Sequence, residues 1–157
     1  MTLLIAIKTV HILSSTVLFG TGIGTAFQML ATHYRGDVHA IAMTARSVVT
    51  ADRLMTTPAA IIQPATGLLL AHLEGWPWTS SWLLVSCALY VVAMVCWFAV
   101  VGLQHEMATE AAKADRAGSV LSSLYRADFR DWMQLGWPAF FCFVGLYWLM
   151  LDKPVLW

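Results

Sequence analysis

Charged residues are scarce in this chain. They make up 11% of its 157 residues, whereas an average soluble domain carries about 25%. Hydrophobic residues make up 59%, and several apolar runs reach the ~20 residues that a helix needs to cross a bilayer. A soluble domain of this size could not bury so much apolar surface. The composition therefore excludes an ordinary soluble domain and predicts an integral membrane protein.

Cysteine is also rare, since the chain has only 3 cysteines. All of them fall inside apolar runs without the spacing of a metal site, and an odd number argues against a disulfide framework. We interpret them as small buried hydrophobic residues. They are Cys87, Cys96 and Cys142.

Motifs of several function classes are missing as well. No serine, cysteine or aspartate lies in a recognisable nucleophile motif, and no glycine-rich phosphate loop follows a strand. Conventional hydrolases and nucleotide-binding proteins therefore have no support. The formal net charge of +0 gives no indication of nucleic acid as a partner. The N-terminus lacks the basic segment and cleavage site of a removable signal peptide, so we expect the first helix to be retained.

Four apolar spans stand out, at about 3–30, 54–73, 82–103 and 133–151. Because backbone groups within a bilayer must be hydrogen-bonded inside the protein, these spans predict an all-α fold. We expect an integral membrane antiparallel four-helix bundle in which residues 1–157 form a single transmembrane domain. The linker 33–53 is long enough for an amphipathic segment, and we expect 104–131 to be helical on the membrane surface.

Lysine and arginine are distributed unevenly around these spans. Of the 9 such residues, all but Lys8 and Lys153 lie in the first and third linkers. Because positively charged loops are retained in the cytoplasm, this distribution predicts a multi-pass protein of the bacterial inner membrane with both termini periplasmic.

The first span contains two ionisable residues, Lys8 and His11, one helical turn apart. An ionisable side chain at membrane depth is costly, and it indicates a function. A neutral imidazole is also a usual protein ligand of haem iron. We therefore predict that His11 is an axial ligand, and the alternative is a histidine hydrogen-bonded to a neighbouring helix. Lys8 either extends its ammonium to the interface or pairs with an anion such as a haem propionate.

A second axial ligand would have to lie at a similar depth on another helix. His72, at the end of the second span, meets this condition loosely, and with His11 it forms the predicted metal-binding pair. His105 lies just past the third span and does not meet the condition unless the helices are strongly tilted. We expect His33 and His39 to lie in a solvated loop.

The second span contains Pro58 and Pro64, each of which removes a helical hydrogen bond. Gln63 and Thr66 are candidates to satisfy the carbonyl groups that are freed. Such a kinked, polar helix either lines a cofactor pocket or a narrow pathway, or is only a kink.

Small residues and methionines offer two further hypotheses. Gly20 and Gly24 form a small-xxx-small pair, for which we favour packing within the bundle over a homodimer interface. The methionines suggest a Cu(I) site because thioethers suit that ion, but they show no Met-x-x-Met clustering. We therefore favour packing for them, including Met55, Met94, Met133 and Met150.

Several of these segments resemble a known pattern. The run from Lys8 to Leu13, with His11 in it, resembles the first-helix signature of HemJ-type protoporphyrinogen oxidases. Those are four-helix bacterial membrane proteins proposed to bind haem through that histidine. Three other segments resemble, in turn, the same family's second helix, the histidine that ends its third helix, and its terminal Lys-Pro motif. The resemblance at the end of the third helix implies His105 as an alternative axial ligand. The three segments are Thr57–Leu70, Gly102–His105 and Trp148–Pro154.

The chain resembles still more closely a related family of predicted bacterial integral membrane proteins of unknown function, and this resemblance covers nearly the whole chain. The wider group is similar to CopD-like copper-resistance membrane proteins. Two charged features of the HemJ pattern are missing: Asp52-Arg53 stands where a Glu-Arg-Arg run is expected, and no lysine occurs between Trp82 and Cys96. The resemblance therefore implies haem binding more strongly than oxidase activity.

The sequence thus predicts a protein that binds b-type haem and serves electron transfer or porphyrin redox chemistry. An oxidoreductase of the protoporphyrinogen oxidase type would need an electron acceptor such as a quinone or a redox partner protein. Two alternatives stay open. One is a CopD-like copper transport protein that uses His11 and methionines, and the other is a cofactor-free accessory subunit in which Lys8 and His11 only hold helices together.

Overall fold

The structure, a computed structural model, describes residues 2–157. Its α-helices are α1 (Thr2–Arg35), α2 (Val38–Ala51), α3 (Thr57–Leu73), α4 (Ser81–Ala117) and α5 (Ser123–Asp152). A π-helical segment, Asp52–Thr56, joins α2 to α3, so that Val38–Leu73 is one continuous helix. The predicted all-α fold is therefore confirmed.

Each of the four continuous helices is long and apolar enough to cross a membrane. Their outward faces carry large exposed hydrophobic side chains, among them Phe27, Phe98 and Phe141. An apolar surface of this extent is costly in water, whereas hydrocarbon chains solvate it readily. The arrangement is that of a membrane-spanning helical bundle.

Tight turns connect the helices in antiparallel order. Gly36 precedes α2 and Gly118 ends α4, and both have a positive φ, 76° and 58°, which glycine adopts without steric cost. Asp37 caps α2 by accepting hydrogen bonds from the backbone N–H groups of His39 and Ala40. The start of α1 and the end of α5 consequently lie at one end of the bundle, called here the Glu74 end. The opposite end is called the Gly118 end.

At the Gly118 end the helices extend beyond the predicted spans. The 37 residues of α4 correspond to about 55 Å, well beyond the ~30 Å of bilayer hydrocarbon. The linker 104–131 does not form a separate surface helix. Its first part continues α4 and its last part begins α5, so that the two helices form a hairpin there. Apolar residues recur among the charged residues of this linker, and they form a core with side chains of α1 and α2. This core includes Ile41, Ala45, Met107, Ala111, Tyr125 and Phe129.

The bundle is built from two helix pairs, since α1 packs along α3 and α4 packs along α5. Helix α2 connects the pairs through its contacts with both α1 and α4. It is amphipathic, as expected, with its buried side chains on the face that meets these helices: Ile41, Ala42, Thr44, Ala45 and Val48. In the membrane the two pairs meet through apolar side chains, and a cavity remains between them.

Pro64 lies inside α3 and has no N–H, so the Ala60 carbonyl loses its usual donor. The Tyr90 hydroxyl on α4 donates a hydrogen bond to this carbonyl instead. The prediction that Gln63 and Thr66 satisfy the freed group is wrong here. The Thr66 hydroxyl donates to the Ile62 carbonyl at 2.7 Å, and Gln63 bonds to α1.

Gly20 and Gly24 do not pack against another helix in the described chain. A Cβ atom added at either position would meet nothing within 4 Å. The expectation that this pair packs within the bundle is therefore wrong, because the α1 face that carries it points away from α3. The alternative of a homodimer interface stays a prediction.

Candidate functional site

His11 is half-buried between α1 and α3, where its imidazole meets three neighbouring residues of α3. Its Nδ1 atom lies 2.9 Å from Oγ1 of Thr66, and its Nε2 atom lies 3.1 Å from Nε2 of Gln63. Gly67 is the third neighbour. Thr66 and Gly67 follow Gln63 by three and four residues, so all three lie toward one face of α3.

The hydrogen bonds around His11 fix its tautomer. The Thr66 hydroxyl donates to the Ile62 carbonyl, which leaves its oxygen to accept from Nδ1–H of His11. Nε2 then carries the lone pair and accepts from the Gln63 amide N–H. The Gln63 amide oxygen accepts from the Ser14 hydroxyl at 2.5 Å. The network therefore assigns one direction to every bond.

Gly67 lets the imidazole approach the α3 backbone. A Cβ atom at this position would lie 3.0 Å from Cε1 of His11, which is tighter than ordinary van der Waals contact. The close approach of α1 to α3 at membrane depth therefore depends on this glycine, as small residues permit at membrane helix interfaces.

This arrangement is chemically suited to two roles. A metal-ligating histidine donates one ring N–H to a nearby acceptor, and it presents the other nitrogen to the metal. Thr66 holds His11 in that tautomer, so Nε2 has a lone pair available once the Gln63 amide moves away. The same bonds, left undisturbed, are a satisfied polar link between two helices.

Lys8, one turn from His11, pairs with Glu74 just after α3. Its Nζ atom lies 2.5 Å from one carboxylate oxygen of Glu74. The other oxygen accepts from the Trp76 indole at 3.0 Å and lies 3.5 Å from Nζ of Lys153. The hydrogen bonds from Lys8 and then Trp76, with the positive charge of Lys153, lower the pKa of Glu74 to about 2. A carboxylate of the chain itself is thus an anionic partner of Lys8.

The structure does not bring His72 or His105 to His11. His72 is exposed and lies five residues past Gly67, about 7.5 Å further along α3 and about 140° round it. His105 is exposed near the Gly118 end, where its Nδ1 lies 2.8 Å from the Val101 carbonyl. The geometry around His11 therefore provides one imidazole, without a second one facing it.

His33 and His39 lie in helices, so the expectation of a loop is wrong for both, although the His39 side chain is exposed as expected. His33 is in the last turn of α1 and stacks on Phe129, with ring centroids 3.7 Å apart. His39 is in the first turn of α2, where its Nδ1 lies 3.1 Å from the carboxylate of Asp115. Both histidines join helices at the Gly118 end.

Within residues 2–157, no three histidine, cysteine, aspartate or glutamate side chains are grouped closely enough to hold a metal ion. A haem iron takes only one or two ligands from the protein, so it does not require a group of three such side chains. In the described part of the chain, candidate metal ligands therefore occur singly and not in groups of three.

An apolar cavity of about 410 Å³ occupies the space between α1, α4 and α5. Its lining is rich in aromatic residues, and Phe19 stacks on Phe140 there with ring centroids 5.8 Å apart. Two lining residues are strongly exposed, Phe27 on α1 and Trp137 on α5. The cavity consequently opens between these two helices toward the bilayer, and it lies apart from His11.

One part of the cavity lining is polar. The π-helical segment supplies Asp52 and Thr56, and α4 supplies Gln104 and Trp97. The Thr56 hydroxyl donates to Oδ1 of Asp52 at 2.7 Å. Among the described residues, Oδ2 of Asp52, Oε1 of Gln104 and Nε1 of Trp97 are buried without a hydrogen-bond partner. Gln104 lies beside Asp52.

Comparison with protein families assigns the chain. The family DUF2269, described as a predicted integral membrane protein, matches residues 5–154. The chain belongs to this family. No curated protein matches the chain, and no solved structure matches it.

For this DUF2269 member, the sequence indicated some parts of the site and missed others. Gln63 and Thr66 stood out as polar residues in an apolar span. Ser14 and Gly67 did not, although Ser14 lies one turn from His11 and Gly67 follows Thr66. Glu74 could have been found as the first acidic residue after the second span. No pattern in the sequence pointed to the cavity, because it lies between segments far apart in the chain.

Proposed function

We propose that this chain binds haem b through His11 and serves electron transfer or porphyrin redox chemistry in the membrane. The observation that carries the proposal is the hydrogen bond between Nδ1 of His11 and Oγ1 of Thr66, 2.9 Å long. It holds the ring in the tautomer whose Nε2 lone pair can ligate iron. When bound, haem supplies the one-electron chemistry of its iron, and the protein tunes it through ligation and a low-dielectric surrounding.

The chain's own residues have defined tasks in this proposal. Thr66 orients the imidazole, and Gly67 sets the separation of α1 and α3. The Gln63 amide must turn away from Nε2, and Ser14 gives its oxygen a partner. In this proposal His11 would hold the iron, and His72 and His105 are remote from it.

The resemblance to HemJ-type proteins adds support, because it lies in the Lys8–Leu13 segment that contains His11. Oxidase activity has less support. Two charged features of that pattern are missing, and Lys8 is paired with Glu74. We place the protein in the bacterial inner membrane with the Glu74 end periplasmic, since most lysines and arginines lie toward the Gly118 end.

A cofactor-free accessory subunit is the second candidate function. The favouring observation is that both ring nitrogens of His11 already have partners within the chain, Thr66 and Gln63. In this case the network only links α1 to α3.

An absorption spectrum separates the candidates. The protein is purified in detergent from cells supplied with a haem precursor and with copper, and spectra are recorded before and after reduction. A Soret band with reduced α and β bands supports the proposal, and its loss in His11→Ala, but not in the control His72→Ala, assigns the ligand. A colourless, metal-free protein favours the accessory subunit, and a colourless protein that retains copper favours copper transport. Unchanged bands in His11→Ala would overturn the assignment.

A further inference from the structure

The cavity between α1, α4 and α5 combines an apolar body with a polar inner wall. Asp52 is 6% exposed and Gln104 is 3% exposed, yet each keeps a buried oxygen without a hydrogen-bond partner among the described residues. An unpartnered buried polar atom costs about 1–3 kcal/mol. A bound molecule that donates hydrogen bonds would satisfy both oxygens.

The segment that carries Asp52 is itself unusual. Asp52 and Thr56 begin and end the π-helical segment, and both line the cavity. Short π-helical stretches inside α-helices are frequent at functional sites. Here the segment places the Asp52 carboxyl group at the wall of an otherwise apolar space. Its hydrogen bond from Thr56 uses Oδ1 only, so a purely structural role would leave Oδ2 without a partner.

The lining restricts the chemistry of the occupant. The unpartnered oxygens of Asp52 and Gln104 accept hydrogen bonds, so they favour an occupant with hydroxyl groups that donate. Trp97 and Trp132 line the cavity with aromatic surface, which stacks on a flat ring. The mouth beside Phe27 and Trp137 faces the bilayer, so the molecule enters from the lipid and can leave a tail there.

We propose that this cavity binds a quinol-type lipid, an aromatic ring with hydroxyl groups joined to an apolar tail. Its ring hydroxyls donate to Oδ2 of Asp52 and Oε1 of Gln104, and its ring lies among Trp97 and Trp132. The site is separate from His11, and its occupation does not depend on whether His11 binds haem.

Binding of three probes tests the hydrogen-bonding part of the proposal. A decyl-tailed hydroquinone, its quinone and decylbenzene are titrated without oxygen into the full chain in nanodiscs, on the His11→Ala background as well as the native one. Because its hydroxyls satisfy buried acceptors that decylbenzene leaves unpaired, the hydroquinone should bind roughly tenfold more tightly than decylbenzene. Equal binding of all three probes would show that an acyl chain fills the space, and would overturn the proposal.

The variant Asp52→Asn provides the sharper test. Its amide can keep an oxygen toward Thr56 and present N–H to the cavity, so the preference should reverse in favour of the quinone, which only accepts hydrogen bonds. If Asp52 were only structural, both probes would lose affinity equally, which would contradict the proposal. The control Asp131→Asn alters an exposed carboxylate of α5 and should leave both affinities unchanged.

A second variant keeps the test decisive if Asp52→Asn does not fold. Gln104→Leu removes the other acceptor and should weaken hydroquinone binding by several-fold while decylbenzene binding is retained or improves. If Gln104→Leu weakened the binding of hydroquinone and decylbenzene equally, Oε1 of Gln104 would not be a hydrogen-bond acceptor for the hydroquinone. Because every titration is repeated on the His11→Ala background, failure here is distinguishable from failure of haem binding.

Discussion

The Tyr90 hydroxyl on α4 donates its hydrogen bond to the Ala60 carbonyl of α3, the group that Pro64 leaves without a helical donor. A proline that would otherwise expose a polar group at membrane depth thus becomes a contact point between the two helix pairs. This bond adds a polar contact to the apolar side-chain contacts that join the pairs in the membrane.

Replacing Tyr90 by phenylalanine tests that connection. Tyr90→Phe leaves the Ala60 carbonyl unsatisfied in a region without water, so it should lower the free energy of unfolding by about 1–3 kcal/mol. The measurement is unfolding in mixed detergent micelles. In a Pro64→Ala background, where α3 regains an N–H for this carbonyl, the same substitution should cost clearly less. An equal cost in both backgrounds would contradict this role.

Gly67 and Gly20 form a matched pair for testing the approach of α1 to α3. Gly67→Ala places a Cβ 3.0 Å from the His11 ring, and such overpacking should cost about 1–3 kcal/mol. Gly20→Ala meets nothing within 4 Å and should be neutral or stabilise helix α1 by about 0.5–1 kcal/mol. Both are compared by thermal unfolding in detergent. A harmless Gly67→Ala would mean that His11 is not held against α3.

The Glu74 cluster predicts a defined dependence of stability on pH. The pKa of Glu74 is lowered from 4.5 to about 2 in the folded protein. Its contribution is therefore present above the unfolded-state value of about 4.5 and is lost as the pH falls toward 2. Because Lys8 is 48% exposed, solvent screens the pair, and Glu74→Gln should cost only about 0.2–1 kcal/mol at pH 7.

The stability difference between native protein and Glu74→Gln should accordingly shrink as the pH is lowered from 5 to 2. It should also shrink at high salt. Glu106→Gln, at an exposed position of α4, is the control and should change stability little at pH 7. A Glu74→Gln difference that grows on acidification would show that the carboxylate is not stabilised by its ion pair.

The proposed orientation is tested by labelling from one side of the membrane. In a chain with Cys87, Cys96 and Cys142 replaced by alanine, single cysteines are introduced as Thr79→Cys at the Glu74 end or Ser119→Cys at the Gly118 end. Both positions are exposed in turns. An impermeant maleimide should label Thr79→Cys in intact cells whose outer membrane is permeable, and Ser119→Cys only after lysis. The opposite pattern would reverse the topology.

The sequence predicted the helical architecture well because membrane spans depend on the length and apolarity of continuous segments. It predicted the helix ends at the Gly118 end less well. There, charged residues lower the average hydropathy of α4, although Met107 and Ala111 recur on one face and are fully buried. Residues buried between helices recur on one face of a helix. Averaging the hydropathy over all residues of a window hides this pattern.

Contacts between distant segments were the part that sequence could not supply. His11 was recognised as unusual at its depth, but its partners lie 52 and 55 residues away. For Lys8 the sequence left open an ammonium extended to the interface or a pair with an anion, and the structure pairs it with Glu74. Asp52 was noted only beside Arg53, since its relation to Gln104 depends on how α2 packs on α4.

Haem titration of apoprotein is the most direct measurement of the central proposal. Native protein in detergent, His11→Ala and the control His72→Ala are titrated with haem b while the Soret band is recorded. The proposal predicts saturable binding at one haem per chain in native protein and His72→Ala, a weakened and altered band in His11→Ala, and recovery of that band when imidazole is added. Identical titrations for native protein and His11→Ala, or no saturable binding to native protein, would contradict it.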